Sequence, residues 1–168
     1  AALDLHIHDT DFVVALLGQP RAVRSQVTRD RHGPSHIFTA YDYPGVAVTA
    51  EGGWNYPPKW GFQMAFQAVF ENGAVEYNSG ASPTLTCTIG RGAKKALPSK
   101  QPSIGRSASG TGNISSLGGY FNELQYFIGC LEKRRQPVEA TLAQATESLR
   151  IVVAELQSAR TGGQAVKL

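Results

Sequence analysis

The sequence predicts an α+β fold: a large, mostly antiparallel sheet with helices packed on one face. Three observations predict it. Short runs in the first half alternate apolar and polar residues with a period of two. Turn signals such as Pro44-Gly45 and Asn72-Gly73 join consecutive runs, which makes neighbours antiparallel. Beyond residue 119 the pattern changes to the 3–4 spacing of amphipathic helices. Strands followed by helices give segregated layers rather than alternating βαβ units.

Taken in order, residues 2–11 come first: Ala2-Leu3-Asp4-Leu5-His6-Ile7-His8-Asp9-Thr10-Asp11. They concentrate three acids and two of the four histidines. Extended, this stretch would put Asp4, His6 and His8 on one face; helical, Asp4 and His8 still share a face at i and i+4. Asp9 or Thr10 is expected to cap a helix running to about Leu17, which Gly18 stops and Pro20 keeps from continuing. Strands are expected over residues 22–28 and 37–43, with a polar connection over 29–35. Residues 46–50 pair back as a hairpin after Pro44-Gly45. An aromatic-rich crossing from Gly52 to Trp60 precedes the clearest strand, residues 62–70. There Phe62, Met64, Phe66, Ala68 and Phe70 form one apolar face. Glu71-Asn72-Gly73 reads as a hairpin turn, with Asn-Gly supplying the positive φ angles of a type I′ turn. Residues 74–77 and 84–89 add two more strands. Residues 90–119 lose all periodicity and are expected to form a long loop, functional or mobile. Two helices close the chain. In residues 120–131, Phe121, Leu124, Phe127, Ile128 and Leu131 share a stripe. After Pro137, Thr141 and Gln144 form a capping box. Behind it Leu142, Ala145, Leu149, Val152, Val153 and Leu156 are expected to be buried, and Gly162-Gly163 stop the helix.

Composition bounds the class. A chain of 168 residues, 42% hydrophobic and 17% charged, is expected to be a single domain over 1–168 with a true core. The net charge is +3 with Lys and Arg dispersed. The densest basic run, Lys133-Arg134-Arg135, completes a helix pattern, so no nucleic-acid partner is expected. No apolar run reaches the roughly 18 residues of a membrane span. Cys87 and Cys130 lie far apart without C-x-x-C spacing and read as free thiols. Together with a start that lacks a basic n-region, they lead to the expectation of a cytoplasmic location. The chain opens without Met inside an apolar pattern, and a missing N-terminal part is expected.

The opening stretch admits three chemistries. Asp4 and His8 form a pair suited to proton transfer near neutral pH, the carboxylate fixing the tautomer. His6, His8, Asp9 and Asp11 are all metal-ligand types, but H-E-x-x-H spacing is absent and no metal is expected. A structural role, as caps and satisfied histidines, is the third reading. Trp54, Tyr56 and Trp60 could line a sugar-sized pocket by stacking. His32 and His36 read as loop residues. P-loop and Gly-x-Ser-x-Gly motifs are absent, and Gly90-Arg91-Gly92 and Gly110-Thr111-Gly112 lack the third glycine of a dinucleotide fingerprint.

Asp4-Leu5-His6-Ile7-His8-Asp9-Thr10-Asp11, with the helix ending Leu17-Gly18-Gln19-Pro20, resembles the start of the C-terminal domain of the Gfo/Idh/MocA oxidoreductases. Tyr120-Phe121-Asn122-Glu123-Leu124-Gln125-Tyr126-Phe127 and the closing Ala145-Thr146-Glu147-Ser148-Leu149-Arg150 resemble that domain's last two helices. The resemblance implies a C-terminal domain like that of glyceraldehyde-3-phosphate dehydrogenase. It also implies an N-terminal Rossmann domain, absent from this chain, that binds NAD or NADP and carries a catalytic lysine. It casts His8 as acceptor of a substrate hydroxyl proton and Asp4 as the group that orients it or holds a hydroxyl; beside what the resemblance implies, His6 and the stacking residues Trp54 and Tyr56 are the candidate substrate contacts. A sugar or polyol substrate is implied, as is a homodimer or tetramer through the open sheet face. The chain alone is expected to be inactive. The family often has Gly where His6 stands here, which leaves the substrate and the role of His6 open. The rival reading is a non-catalytic binding or assembly module with the same fold.

Overall fold

The computed structural model describes residues 2–98 and 118–168. These fall into two compact units, Ala1–Pro57 with Pro137–Leu168, and Pro58–Gln136.

The first unit opens with a single π-helical turn, Ala2–His6, that runs directly into helix α1, Ile7–Leu17. The helix therefore begins well before the expected cap. Asp9 caps nothing, because its carboxylate turns to the His6 ring instead. Gly18 ends α1 with φ 77°, its N–H donating to the Val14 carbonyl at 2.8 Å. Strands β1 (Ala22–Asp30), β2 (Gly33–Tyr43) and β3 (Val46–Gly53) follow as two antiparallel hairpins. The polar connection expected over 29–35 contracts to Arg31-His32, because Asp30 and Gly33 already pair. Pro44-Gly45 joins β2 to β3 as expected, Gly45 taking φ 75° as the third residue of such a turn requires.

Helix α3, Leu142–Arg160, lies across this sheet, and β8, Val166–Lys167, pairs with β1 to complete the order β3-β2-β1-β8. The Thr141–Gln144 capping box forms in both directions. At the far end Gly163 N–H reaches the Ser158 carbonyl at 2.9 Å, behind Gly162 at φ 73°. That closure turns the chain back toward β1. The covered sheet face carries Val23 and Ser25 of β1 with Ile37, Thr39 and Tyr41 of β2. Arg24, Gln26, Phe38 and Asp42, one residue out of phase, are exposed. Val23, Tyr41, Ile151 and Ala154 form one apolar cluster and Ala2, Ile37 and Val152 another.

The buried face of α3 differs from the expected one. Ser148, Ile151, Val152, Ala154, Glu155 and Ser158 face inward, whereas Leu142 is 89% exposed and Leu149 and Val153 are also exposed. Three polar residues win the inward face because each has a partner there. Ser148 Oγ donates to Asp11 Oδ1 at 2.7 Å. Ser158 Oγ accepts from Ser25 N–H at 2.9 Å and donates to the Gln164 carbonyl at 2.6 Å. Glu155 belongs to the site below.

The second unit is an antiparallel sheet in the order β4-β5-β6-β7, made of Ala65–Phe70, Gly73–Asn78, Leu85–Ile89 and Lys95–Ala96, together with helix α2, Gly118–Glu132. The strand expected from Phe62 begins only at Ala65. The β4–β5 turn is Glu71-Asn72, one residue earlier than Asn72-Gly73, and the expected positive φ angles do not occur. Gly73 sits inside β5, where a Cβ would stand 2.6 Å from the Thr88 carbonyl oxygen, so close strand approach demands the glycine. The loop expected over 90–119 lies mostly outside the described residues, and within its described part Lys95–Ala96 pairs with β6. On α2 the stripe Phe121, Leu124, Phe127, Ile128 and Leu131 is exposed, while Cys130 is buried. Cys87 and Cys130 are free thiols. Among the described residues, no helix is long and apolar enough to cross a membrane.

Candidate active site

The helix start divides its side chains between two faces. Ala2, His6 and Thr10, four residues apart, point into the protein and are buried. Asp4, His8, Phe12 and Leu16 follow the same spacing half a turn away and are exposed. Asp4 and His8 thus share an outward face, one turn apart. His6, flanked by both in sequence, is on the other side and 0% exposed. A metal site using His6 with His8 would need both rings on one side, which the helix forbids. Among the described residues no group of three or more His, Cys, Asp or Glu side chains is placed to hold a metal ion.

His6 is the centre of a buried polar cluster. Its Nδ1 lies 3.4 Å from Asp9 Oδ2, and its Nε2 lies 3.3 Å from Glu155 Oε2. His6 Nδ1 and Glu155 Oε2 fall short of ideal hydrogen-bond alignment, though each stands within 3.4 Å of the opposite group. Thr39 Oγ1 stands 3.3 Å and the Tyr41 hydroxyl 3.5 Å from Nε2. Thr10 donates to Glu155 Oε1 at 3.0 Å and meets the Tyr41 hydroxyl at 3.0 Å. Ser25 and Thr39 hydroxyls meet at 2.8 Å. Burial alone would lower the His6 pKa. The contacts to Asp9 and Glu155, and their negative charges, outweigh it and raise the value from 6.5 to about 9. The imidazole is therefore a cation at neutral pH, held between two acids. Burial, followed by the Glu155 charge, pushes the Tyr41 phenol well above its usual range and keeps it neutral. Asp9, with its side chain 46% exposed, is the member of this chain of contacts that reaches the surface.

Strand β3 makes room for the cluster. A Cβ on Gly52 would sit 3.1 Å from Asp9 Oδ2 and 3.7 Å from His6 Nδ1. Next to it, Gly53 accommodates the His36 ring, whose Nδ1 pairs with Asn55 Oδ1 at 2.9 Å. Trp54 and Tyr56, the candidate stacking residues, are exposed at the end of β3. Trp54 N–H donates to the Ser35 carbonyl at 2.7 Å, and the Tyr56 ring lies 5.9 Å from that of His36.

Sequence reasoning missed Glu155, Thr10, Tyr41, Thr39 and Ser25 as members of the cluster. One signal was available: Glu155 follows Ile151, Val152 and Ala154 on the turn that the core claims, and a lone acid there calls for a buried partner.

No family model matches the chain, and no curated protein matches it. Solved structures do. An oxidoreductase from Agrobacterium radiobacter, in complex with NAD+, L-tartaric acid and magnesium, superposes with TM-score 0.76 at 17% identity over 98% of this chain and 48% of its own. Levoglucosan dehydrogenase, in complex with NADH and levoglucosan, does so with TM-score 0.74 at 16% identity over 98% and 49%. An oxidoreductase from Sinorhizobium meliloti gives 0.73 at 14% over 96% and 51%. The likeness shows the fold: an α+β domain that makes up about half of these oxidoreductases. The chain spans about half the length of the structures it matches.

Proposed function

We propose that this chain is the substrate-binding and oligomerisation domain of an NAD(P)-dependent dehydrogenase of the Gfo/Idh/MocA type, acting on a hydroxyl group of a sugar, polyol or related compound. The observation that carries the reading is the outward pair Asp4 and His8, one turn apart on the opening helix of a fold shared with oxidoreductases. Those oxidoreductases include one holding NADH and a sugar-derived ligand.

The described residues provide no glycine cradle for a dinucleotide, and neither glycine-rich segment has the required spacing. The cofactor, and with it the hydride acceptor, is assigned to a part of the protein outside this chain. What remains here is proton chemistry. Oxidation of CH–OH to a carbonyl releases the hydroxyl proton, and a neutral imidazole of His8 accepts it through a ring nitrogen. Asp4 fixes the tautomer of that ring or holds a neighbouring hydroxyl. The exposed Trp54 and Tyr56 supply stacking surface for a sugar ring. The apolar side chains Val69, Phe70 and Ile89, exposed on the second sheet, support association into a homodimer or tetramer, which sedimentation would test.

In the full-length protein, His8→Ala and Asp4→Ala are each expected to lower turnover by about 10²–10⁴-fold. Melting should hardly change, because both side chains are exposed. Turnover within a few-fold of wild type would sink the reading and favour a non-catalytic module. The chain alone is expected to show no turnover and no micromolar NAD binding by calorimetry.

A further inference from the structure

The geometry points to His6 as the positioning residue of the Asp4–His8 pair: its imidazole ties the turn carrying both to α3 and β2, and so decides which way they face. The inference rests on the reading of Asp4 and His8 above. Three observations carry it.

First, α3 holds the helix start at two points one turn apart. Glu155 receives His6 on one carboxylate oxygen and Thr10 on the other, at 3.3 and 3.0 Å. Two contacts on one rigid carboxylate fix both the rotation and the axial position of the helix. Second, His6 is the last residue of the π-turn. A π-turn bonds i to i+5, so where it gives way to α geometry sets the offset of Asp4 relative to His8. Such turns persist where tertiary contacts over-determine them, and His6 is the contact made at the junction. Third, β3 is shaped to the same group, since a methyl on Gly52 would crowd Asp9 Oδ2 at 3.1 Å and touch His6 Nδ1 at 3.7 Å. The groups facing His6 are Asp9 from its own helix, Glu155 from α3, and Thr39 and Tyr41 from β2. Each ring nitrogen thereby faces an acid, and none of these partners belongs to the outward face.

Glu155→Asp tests the inference in the full-length enzyme. It keeps the charge and withdraws the carboxylate by one methylene. A misplacement of about 1 Å in a reacting pair lowers turnover by about 100-fold. That loss is expected in kcat, well below the melting temperature, with the cofactor KM within about twofold. Glu155→Gln, which keeps the shape and removes the charge, should behave likewise. A role confined to stability would lower Tm and leave kcat of the folded protein untouched, and wild-type kcat in folded variants overturns the proposal. Should neither variant fold, Asp9→Asn at the solvent edge of the cluster decides by the same split. His8→Ala runs alongside. If it keeps full turnover, the Asp4–His8 reading fails, and positioning is judged by NMR on the same protein. Glu155→Asp should then shift the backbone amide resonances of residues 4–8, and unmoved resonances would reject it.

Discussion

Raising the pH should loosen the first unit in a way that depends on Glu155. The His6 pKa rises from 6.5 to about 9 on folding. The folded protein therefore holds this proton more tightly than the unfolded chain does. Its contribution to stability is present in full below 6.5, declines as pH climbs, and is lost once pH passes about 9. The interval is worth about 3 kcal/mol at roughly 1.4 kcal/mol per pH unit. For a domain of this size each kcal/mol moves the melting point by roughly 2–4 °C. The 168-residue chain, melting as a whole, should thus do so about 6–12 °C lower near pH 9.5 than near pH 6.5, as far as His6 alone decides it. The Tyr41 phenol, pushed up by burial and the Glu155 charge, adds a further loss only above its ordinary value of 10.0. Glu155→Gln leaves an oxygen to accept the Thr10 hydroxyl but removes one of the two acids that hold the imidazolium. Its melting point near neutral pH should fall toward the alkaline wild-type value, and its pH slope should shrink by about half or more. Circular dichroism melts between about pH 6 and about pH 9.5 make the comparison. Parallel curves with a constant offset would refute the reasoning, since a packing defect does not titrate.

Two further substitutions probe the support of the site. Gly52→Ala places a methyl 3.1 Å from Asp9 Oδ2, so Asp9 must give way. Overpacking costs about 1–3 kcal/mol and replacing a strand glycine returns about 0.5–1. A net loss of about 1 kcal/mol is expected in urea denaturation, with a lower His6 titration midpoint by NMR; a gain in stability would contradict the packing. Thr141→Ala removes the hydroxyl that accepts from Gln144 N–H at the start of α3, leaving only the half in which Gln144 accepts from the residue 141 N–H. It should cost about 1 kcal/mol by the same measurement, without moving the His6 titration.

Local chemistry made much of the fold legible. The Thr141–Gln144 box, the Gly18 stop and the Pro44-Gly45 turn each depend on neighbours within a few residues, and each forms where expected. Errors arose where a distant group competes with a local preference. Asn72-Gly73 is a strong turn signal, yet the Thr88 carbonyl across the sheet claims Gly73 for β5 and shifts the turn by one residue. On α3, Leu142, Leu149 and Val153 look like a core stripe. The helix rotates instead to bring Ser148, Glu155 and Ser158 to partners on α1, on β1 and beside β8. Unpaired polar groups cost more when buried than a few exposed leucines do when wet, so those partners decide the face.

By itself the sequence placed Asp4 and His8 on a common face, because a spacing of four does so in a strand as in an α-helix. Only the tertiary structure decided that His6 parts from them and turns inward. That decision depends on Glu155, which lies far along the chain, and on Thr39 and Tyr41 of a strand between them. No local pattern near His6 carries the acid that its buried charge requires from α3; folding alone brings the two together.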